Sequence, residues 1–243
     1  MSKPLVRLHV SQPLSMGATI TLPRESSHYL IEVMRMQAGD AIAVFDGANG
    51  EWEAMIDDPH RKQARLTAQR QLRPQETVPD LWLLFAPIKH GRIDFIVEKA
   101  CELGVAHVKP VITQRTIVNR VPVDRLNANM VEAAEQCGRT ALPSLAEPVQ
   151  LDKLLANWPQ DRTLLFCDET GGTPILEALQ EKPRGTPAAI LIGPEGGFTD
   201  TEREMIRAIP TALPLSLGPR ILRADTAAVA AISLWQATQG DWA

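Results

Sequence analysis

Cysteine is scarce in this chain: Cys101, Cys137 and Cys167 are odd in number, widely separated and never in a Cys-x-x-Cys pair. That argues against a disulfide framework or a structural zinc site. It predicts a protein of the reducing cytoplasm whose three thiols are small, partly buried fillers. No apolar run approaches the ~20 residues of a membrane span. The opening Met1-Ser2-Lys3-Pro4-Leu5-Val6-Arg7 also lacks the apolar core of a signal peptide. The phosphate-binding P-loop and the dinucleotide Gly-x-Gly-x-x-Gly are both missing. There is no internal repeat, no low-complexity tract and no His/Cys cluster to suggest a metal. What is left is ordinary globular composition, 44% hydrophobic and 22% charged over 243 residues, enough to bury a sizeable core unaided.

The net charge of −4 does not advertise a nucleic-acid partner. Its distribution says more than its sum, because phosphate contacts are local. Residues 1–75 balance at +1 and the remainder at −5. From His60 to Arg73 the chain carries Arg61, Lys62, Arg65, Arg70 and Arg73 without one acid. Two explanations stand level: a track for a phosphate backbone, or a solvated strand edge blunted by cations.

Short, partly alternating runs at Val6–Val10, Ala18–Leu22, Ala41–Phe45, Glu51–Ile56 and Ala64–Gln69 predict five strands. One helix interrupts them, with Ser26-Ser27 as its cap and Tyr29, Leu30, Val33, Met34 and Met36 near one face. Together they suggest a small barrel. The polar, twice-proline stretch from Leu72 to Asp80 reads as a boundary, giving domains at 1–73 and 80–243 with a linker at 74–79. Beyond it strands and helices alternate. Strands are expected at Leu81–Ala86, Val108–Ile112, Thr163–Cys167, Ala188–Ile192 and Leu213–Leu217. Helices are expected near Arg92–Leu103, Asp124–Gly138, Leu151–Ala156, Pro174–Leu179, Thr199–Ala208 and Asp225–Thr238. This is the pattern of a parallel α/β sheet covered on both faces.

Such sheets bind ligands beyond the carboxyl ends of their strands. One strand exit reads Leu191-Ile192-Gly193-Pro194-Glu195-Gly196-Gly197-Phe198, followed by Thr199 or Asp200 as a helix cap. The glycines let backbone approach a ligand closely; a tight structural turn explains them equally well. A second exit reads Leu217-Gly218-Pro219-Arg220-Ile221-Leu222-Arg223-Ala224-Asp225. Asp225 is placed to cap the following helix and to pair with Arg223, but that leaves Arg220 unexplained. A third stretch sets Glu132, Glu135, Gln136 and Arg139 on one helix face. A solvated face with local ion pairs is the plain reading, and an RNA-facing helix end the sharper one.

Lys89, Ile96 to Val105, Glu132 to Arg139, Gly193 to Phe198 and Leu217 to Ala227, taken in order, closely resemble the RsmE family. Those bacterial enzymes methylate N3 of one uridine in 16S ribosomal RNA. His28 to Arg35, Gly39-Asp40 and Phe45-Asp46-Gly47 resemble that family's PUA-like RNA-binding domain. The resemblance spans nearly the whole chain. It implies a small PUA-like β-barrel followed by a SPOUT-type parallel sheet whose C-terminal part forms a trefoil knot, a topology that no periodicity reveals. It also implies S-adenosylmethionine as cofactor and a homodimer as the working form. The cofactor residues it carries over are Leu191, Gly193, Glu195, Gly196, Gly197, Leu217, Gly218, Arg220, Ile221 and Leu222, with a loop near Asp168 to Gly172 closing the pocket. Arg220, Arg223 and Glu195 would then act on the base. Contacts to 16S rRNA within the small subunit would fall to Arg35, Arg61, Lys62, Arg65, Lys89, Arg92, Gln136 and Arg139. No metal and no membrane are implied. The small-residue face of the last helix, with Trp235 and Trp242, would contribute to the dimer. Two positions depart from the family pattern: Ala224-Asp225-Thr226-Ala227 replaces its usual Thr-Glu-Thr-Ala, and its tryptophan near Leu126 is missing. A SPOUT enzyme with another RNA target is the nearest alternative. A non-catalytic RNA-binding dimer follows, and a nicotinamide-dependent oxidoreductase, lacking its fingerprint, comes last.

Overall fold

Alternating apolar and polar residues make strands whose apolar side must be covered, and the N-terminal part of the chain solves this by curling. The computed structural model describes residues 6–89, 91–118 and 120–242, so the reading of the extreme N-terminus lies largely outside the described residues. Strands β1 (Arg7–His9), β2 (Thr19–Thr21), β3 (Ala41–Phe45), β4 (Glu51–Asp58) and β5 (Arg65–Arg73) form one sheet in the order β1-β3-β4-β5-β2. β1 runs parallel to β3 and the other pairings are antiparallel. Irregularities along β4–β5 at Glu51/Trp52, Glu53/Ala54 and Ile56/Asp58 bend the sheet round a core that includes Leu8, Ile20, Leu30, Ile42, Val44, Ile56 and Leu66. The result is the expected small barrel in the form of a curled half-barrel: among the described residues β1 pairs with β3 and β2 with β5, and the two edge strands do not pair with each other.

The expected helix starts at α1 (Arg24–His28) and continues as a π-helical turn, Tyr29–Val33. Ser26 and Ser27 do not cap it; Pro23 stands at its N-terminus. The buried Ser27 hydroxyl instead donates to the Pro23 carbonyl at 2.9 Å and accepts the Ala64 amide at 2.9 Å. The basic stretch is largely neutralised by acids across the strands. Arg65 pairs with Asp58, Arg70 with Glu53 and Arg73 with Glu51.

Residues 134–142, on the far side of the linker in sequence, group with this first unit, which spans residues up to Thr77. Arg7 donates to the carbonyls of Ala134, Glu135 (3.3 Å) and Arg139 (2.7 Å), satisfying the orphan acceptors of a helix end. Arg73 donates to the Gly138 carbonyl at 2.7 Å, and Glu76 accepts the amides of Thr140 and Ala141 at 2.6 and 2.7 Å. Between the two arginines sits Glu51, bound to both.

The second unit comprises 78–133 and 143–243. Its strands are β6 (Leu81–Phe85), β7 (His107–Ile112), β8 (Ser144–Leu145), β9 (Val149–Gln150), β10 (Thr163–Cys167), β11 (Thr173–Pro174), β12 (Ala188–Ile192) and β13 (Ala212–Ser216). The order is β11-β13-β10-β12-β6-β7-β8, with β9 also on β7, and every pairing is parallel. The two-residue strands β8, β9 and β11 carry too little pattern to have been foreseen. The helices are α2 (Arg92–Glu102), α3 (Val123–Cys137, of which 123–133 belong here), α4 (Leu151–Ala156), α5 (Ile175–Gln180), α6 (Asp200–Arg207) and α7 (Ala224–Thr238). Leu84, Leu164, Phe166 and Leu191 share a core with Leu151 and Leu155 of α4 and Ile206 of α6. α7 packs with α2, α5 and β12.

Several details differ from expectation. Arg223, not Asp225, stands at the N-terminus of α7, without a side-chain cap; Asp225 accepts from Arg92 at 3.2 Å. Trp235 is 2% exposed, and Ala227, Ala228 and Ala231 are buried within this chain, so these four residues of α7 serve the protomer's own packing. Cys137 is exposed, while Cys101 is buried and Cys167 half-buried.

Glu51 gives a titratable probe of the first unit. Burial works to raise its carboxyl, but hydrogen bonds from Arg73 and Arg7 outweigh this and hold it below the usual value. A lowered native pKa means stability that is fully present above the unfolded value of ~4.3 and lost as the pH falls through the native one. Glu51→Gln should therefore cost about 2–3 kcal/mol in urea unfolding at neutral pH, by leaving Arg7 and Arg73 without their charge partner. The difference from wild type should shrink steadily below pH ~4.

Candidate active site

Because β13, β10 and β12 are parallel neighbours, their carboxyl ends deliver three loops to one place. The first begins at Asp168, whose carboxylate is buried. Its oxygens accept the Thr170 amide (3.1 Å) and hydroxyl (2.8 Å) and the guanidiniums of Arg203 (3.2 Å) and Arg207 (2.7 Å), both from α6. Burial alone would raise this carboxyl; the hydrogen bonds from Thr170 and Arg203 prevail and hold it below its ordinary range. Glu169 binds the same Arg203. The loop then crosses β13: β10 lies on one side of that strand and β11 on the other. At the crossing, a Cβ on Gly172 would stand 2.4 Å from the Pro214 carbonyl oxygen, so only glycine passes. Preceding the loop, Cys167 has its thiol pushed up to about 12 by burial and stays protonated.

The second loop, after β12, is backbone at closest approach. A Cβ on Gly193 would meet the Phe198 ring at 2.6 Å, and Phe198 is itself wholly buried edge-on to Phe166. Gly197 has φ +67°, and a Cβ there would strike the Glu169 carboxylate. Thr199 caps α6 in a reciprocal box with Glu202. The third loop, after β13, turns at Gly218 (φ +109°) and carries Arg220, Ile221 and Arg223 exposed, Ile221 to 86%.

These loops enclose a cavity of about 590 Å³ lined by residues 167–171, 192–197 and 215–224 with Ala227, well within the range of small-molecule sites. Ile192, Pro194, Leu215, Leu217, Leu222 and Ala224 give it apolar surface. Glycine backbone supplies polar groups. Among the described lining residues the cations are Arg220 and Arg223, both exposed, with no carboxylate paired to either. That chemistry suits a nucleoside with a small zwitterionic tail, and S-adenosylmethionine fits it. Among the described residues no group of His, Cys, Asp or Glu is arranged to hold a metal ion.

Nine of the ten cofactor positions anticipated from sequence line this cavity; Leu191 does not, its side chain being buried in the core one residue earlier. Arg220, Arg223 and Glu195 come together on its wall. The residues assigned to RNA fare unevenly. Arg35, Arg61, Lys62, Lys89 and Gln136 are exposed. Arg65 faces Asp58 and Arg92 faces Asp225, while Arg139 is only 6% exposed. Arg35 also holds a left-handed φ of 57°. Arg115, which donates to the Gly196 carbonyl at 2.7 Å, escaped the sequence reading because nothing local marks it.

Comparison with known proteins agrees with this geometry. Residues 74–236 match the model of the RNA methyltransferase domain, and residues 22–69 that of the RNA methyltransferase PUA domain. The ribosomal RNA small subunit methyltransferase E of Synechocystis is 34% identical, over 93% of this chain and 76% of that protein. Its namesake from Rickettsia conorii is 29% identical over 93% of each. Among solved structures, a methyltransferase of Legionella pneumophila with bound SAM superposes with a TM-score of 0.86 at 31% identity, covering 98% of this chain and 100% of that one. The methyltransferase E of Neisseria gonorrhoeae, bound to S-adenosyl methionine, gives 0.87 at 27% over the same shares. With a matching model over most of its length and full-length relatives of one name, the chain belongs to the RNA methyltransferase family, among the ribosomal RNA small subunit methyltransferases E.

Proposed function

We propose that this protein transfers a methyl group from S-adenosylmethionine to N3 of one uridine in 16S rRNA of the small ribosomal subunit, in the cytoplasm. The observation that carries this reading is the convergence of three glycine-bearing loops on one cavity with two unpaired arginines on its wall. The cofactor, when bound there, supplies a methyl group already activated on sulfonium sulfur. Positioning then contributes much of the acceleration, and it falls to the backbone of 193–197 and 217–222.

Uridine N3 carries a proton and is a poor nucleophile until that proton leaves. Arg220 and Arg223, exposed beside the cavity, are suited to face the uracil carbonyl oxygens and stabilise the charge that develops on them. Glu195, exposed on the opposite loop, is suited to take the N3 proton. The exposed Arg35, Arg61, Lys62, Lys89 and Gln136 are the natural candidates for holding the surrounding RNA. Two further features belong to the proposal. The passage of 217–223 past the 168–172 crossing is read as the trefoil knot, which the placement of β11 beyond β13 supports. The half-buried Val229, Ala230, Ser233 and Leu234 of α7 are read as part of a homodimer interface, along with the half-exposed Trp242.

Small subunits from cells lacking this protein, incubated with it and methyl-labelled cofactor, should acquire label as 3-methyluridine in 16S rRNA. Label on another nucleoside would reject the target and keep the enzyme class. No label, with no rise in melting temperature on adding S-adenosylmethionine, would reject the cofactor site as well, since a ligand of the folded state must stabilise it. Arg220→Ala should lower kcat by a factor of about 10² while changing cofactor affinity severalfold at most; lost affinity with intact turnover at saturation would contradict its assigned role.

A further inference from the structure

The loop 193–199 is held from outside the cavity as well as by the strand that feeds it. Gln114 and Arg115 follow β7, two strands away from β12 in the sheet. The Gln114 amide donates to Oε1 of Glu202 at 2.7 Å, while Oε2 accepts the Thr199 amide at 2.9 Å. Glu202 is 2% exposed, so one buried carboxylate, with both oxygens engaged, fastens the β7 loop to the start of α6. Arg115 starts from that fixed point. Its Nη1 donates to the Gly196 carbonyl at 2.7 Å, with the Phe198 carbonyl at 3.4 Å, and its aliphatic stem covers Gly196, where a Cβ would lie 3.5 Å from Arg115 Cβ and Cδ. Arg115 is not part of the cavity lining.

Gly196 and Gly197 are consecutive, and glycine surrenders more backbone freedom on ordering than any other residue. A wall made of them needs an external restraint to present one face. We propose that Arg115 is a positioning residue for the cofactor. By engaging the Gly196 carbonyl from outside, it fixes the polar face that the Pro194–Gly197 turn offers to S-adenosylmethionine. The bond is charge-assisted, which makes it stronger than a neutral one. This inference rests on the cavity being the cofactor site.

Calorimetric titration of S-adenosylmethionine into wild type, Arg115→Met, Arg115→Lys and the remote surface variant Lys153→Met tests it. Arg115→Met should bind about tenfold more weakly, the worth of one hydrogen bond to a charged group. Its ligand-free melting temperature and its kcat at saturating cofactor should stay near those of wild type and Lys153→Met. Arg115→Lys, which keeps the charge and a donor, should recover part of the affinity. Unchanged affinity in Arg115→Met would overturn the proposal. So would a ligand-free melting temperature that falls in step with affinity and is not rescued by lysine, since that is the mark of a purely structural role. Wild-type protein that binds no cofactor would instead overturn the reading of the cavity, and this inference with it.

Discussion

One buried carboxylate sets the geometry of the cavity. Asp168 is the first residue after β10, and taking its charge out of water is costly unless every oxygen finds a donor. It finds four: the amide and hydroxyl of Thr170 and the guanidiniums of Arg203 and Arg207. The first two fold the loop sharply back on itself. The other two reach across from α6, the helix that follows the second loop, so one residue ties two walls together. Arg203 then holds Glu169, whose carboxylate lies beside Gly197, a residue at a left-handed φ of +67°. From a single desolvated charge the constraint passes through Arg203 to Glu169, the next residue of the same loop.

That chain of constraint accounts for the way the site is made. Its walls are main chain at closest approach, at Gly193, where a Cβ would meet the buried Phe198 ring, and at Gly197, which holds a left-handed φ of +67°. Its charged side chains stand exposed, at Glu195, Arg220 and Arg223. The two classes divide the proposed work. Backbone held by Asp168, Glu202 and Arg115 cannot easily move, which suits the holding of a donor that is reactive already. Exposed arginines remain available to a base arriving from solvent, and they meet developing charge best where carboxylates do not already neutralise them.

Much of this could be read in the sequence, for identifiable reasons. Strands 41–45, 163–167 and 188–192 were legible to the residue, because a fully buried strand is a continuous apolar run bounded by turn formers. Of the two helix caps the sequence offered, Thr199 and Asp200, the structure uses Thr199, in a reciprocal box with Glu202. The two glycine-proline exits pointed to loops that line the cavity, because ligand sites follow strand ends in such sheets. What failed to show was contact between residues distant in sequence. Nothing near Arg7 says that it will close a helix end more than 120 residues later. Asp225 looked like a cap and proved to be the partner of Arg92, because helix-to-helix packing and not local spacing decided it. Arg115, lone and exposed in a loop after β7, carries no local pattern at all.

The basic stretch shows how pairing register redistributes charge that composition alone would sum. Read linearly, His60 to Arg73 is a run of cations without an acid. Folded, β5 lies antiparallel to β4, and the register sets Arg65 opposite Asp58, Arg70 opposite Glu53 and Arg73 opposite Glu51. The first two pairs are solvent-exposed and worth little to stability, but they cancel much of the field that a phosphate would feel. Arg61 and Lys62 escape because they occupy the turn and not the ladder, and among the described residues no acid pairs with them. An RNA surface on this unit would therefore concentrate on the turn and on Arg35, whose left-handed backbone sets it outside the regular helix. Charge counted along the chain overstates the positive field of this stretch; charge counted after pairing leaves it at the turn.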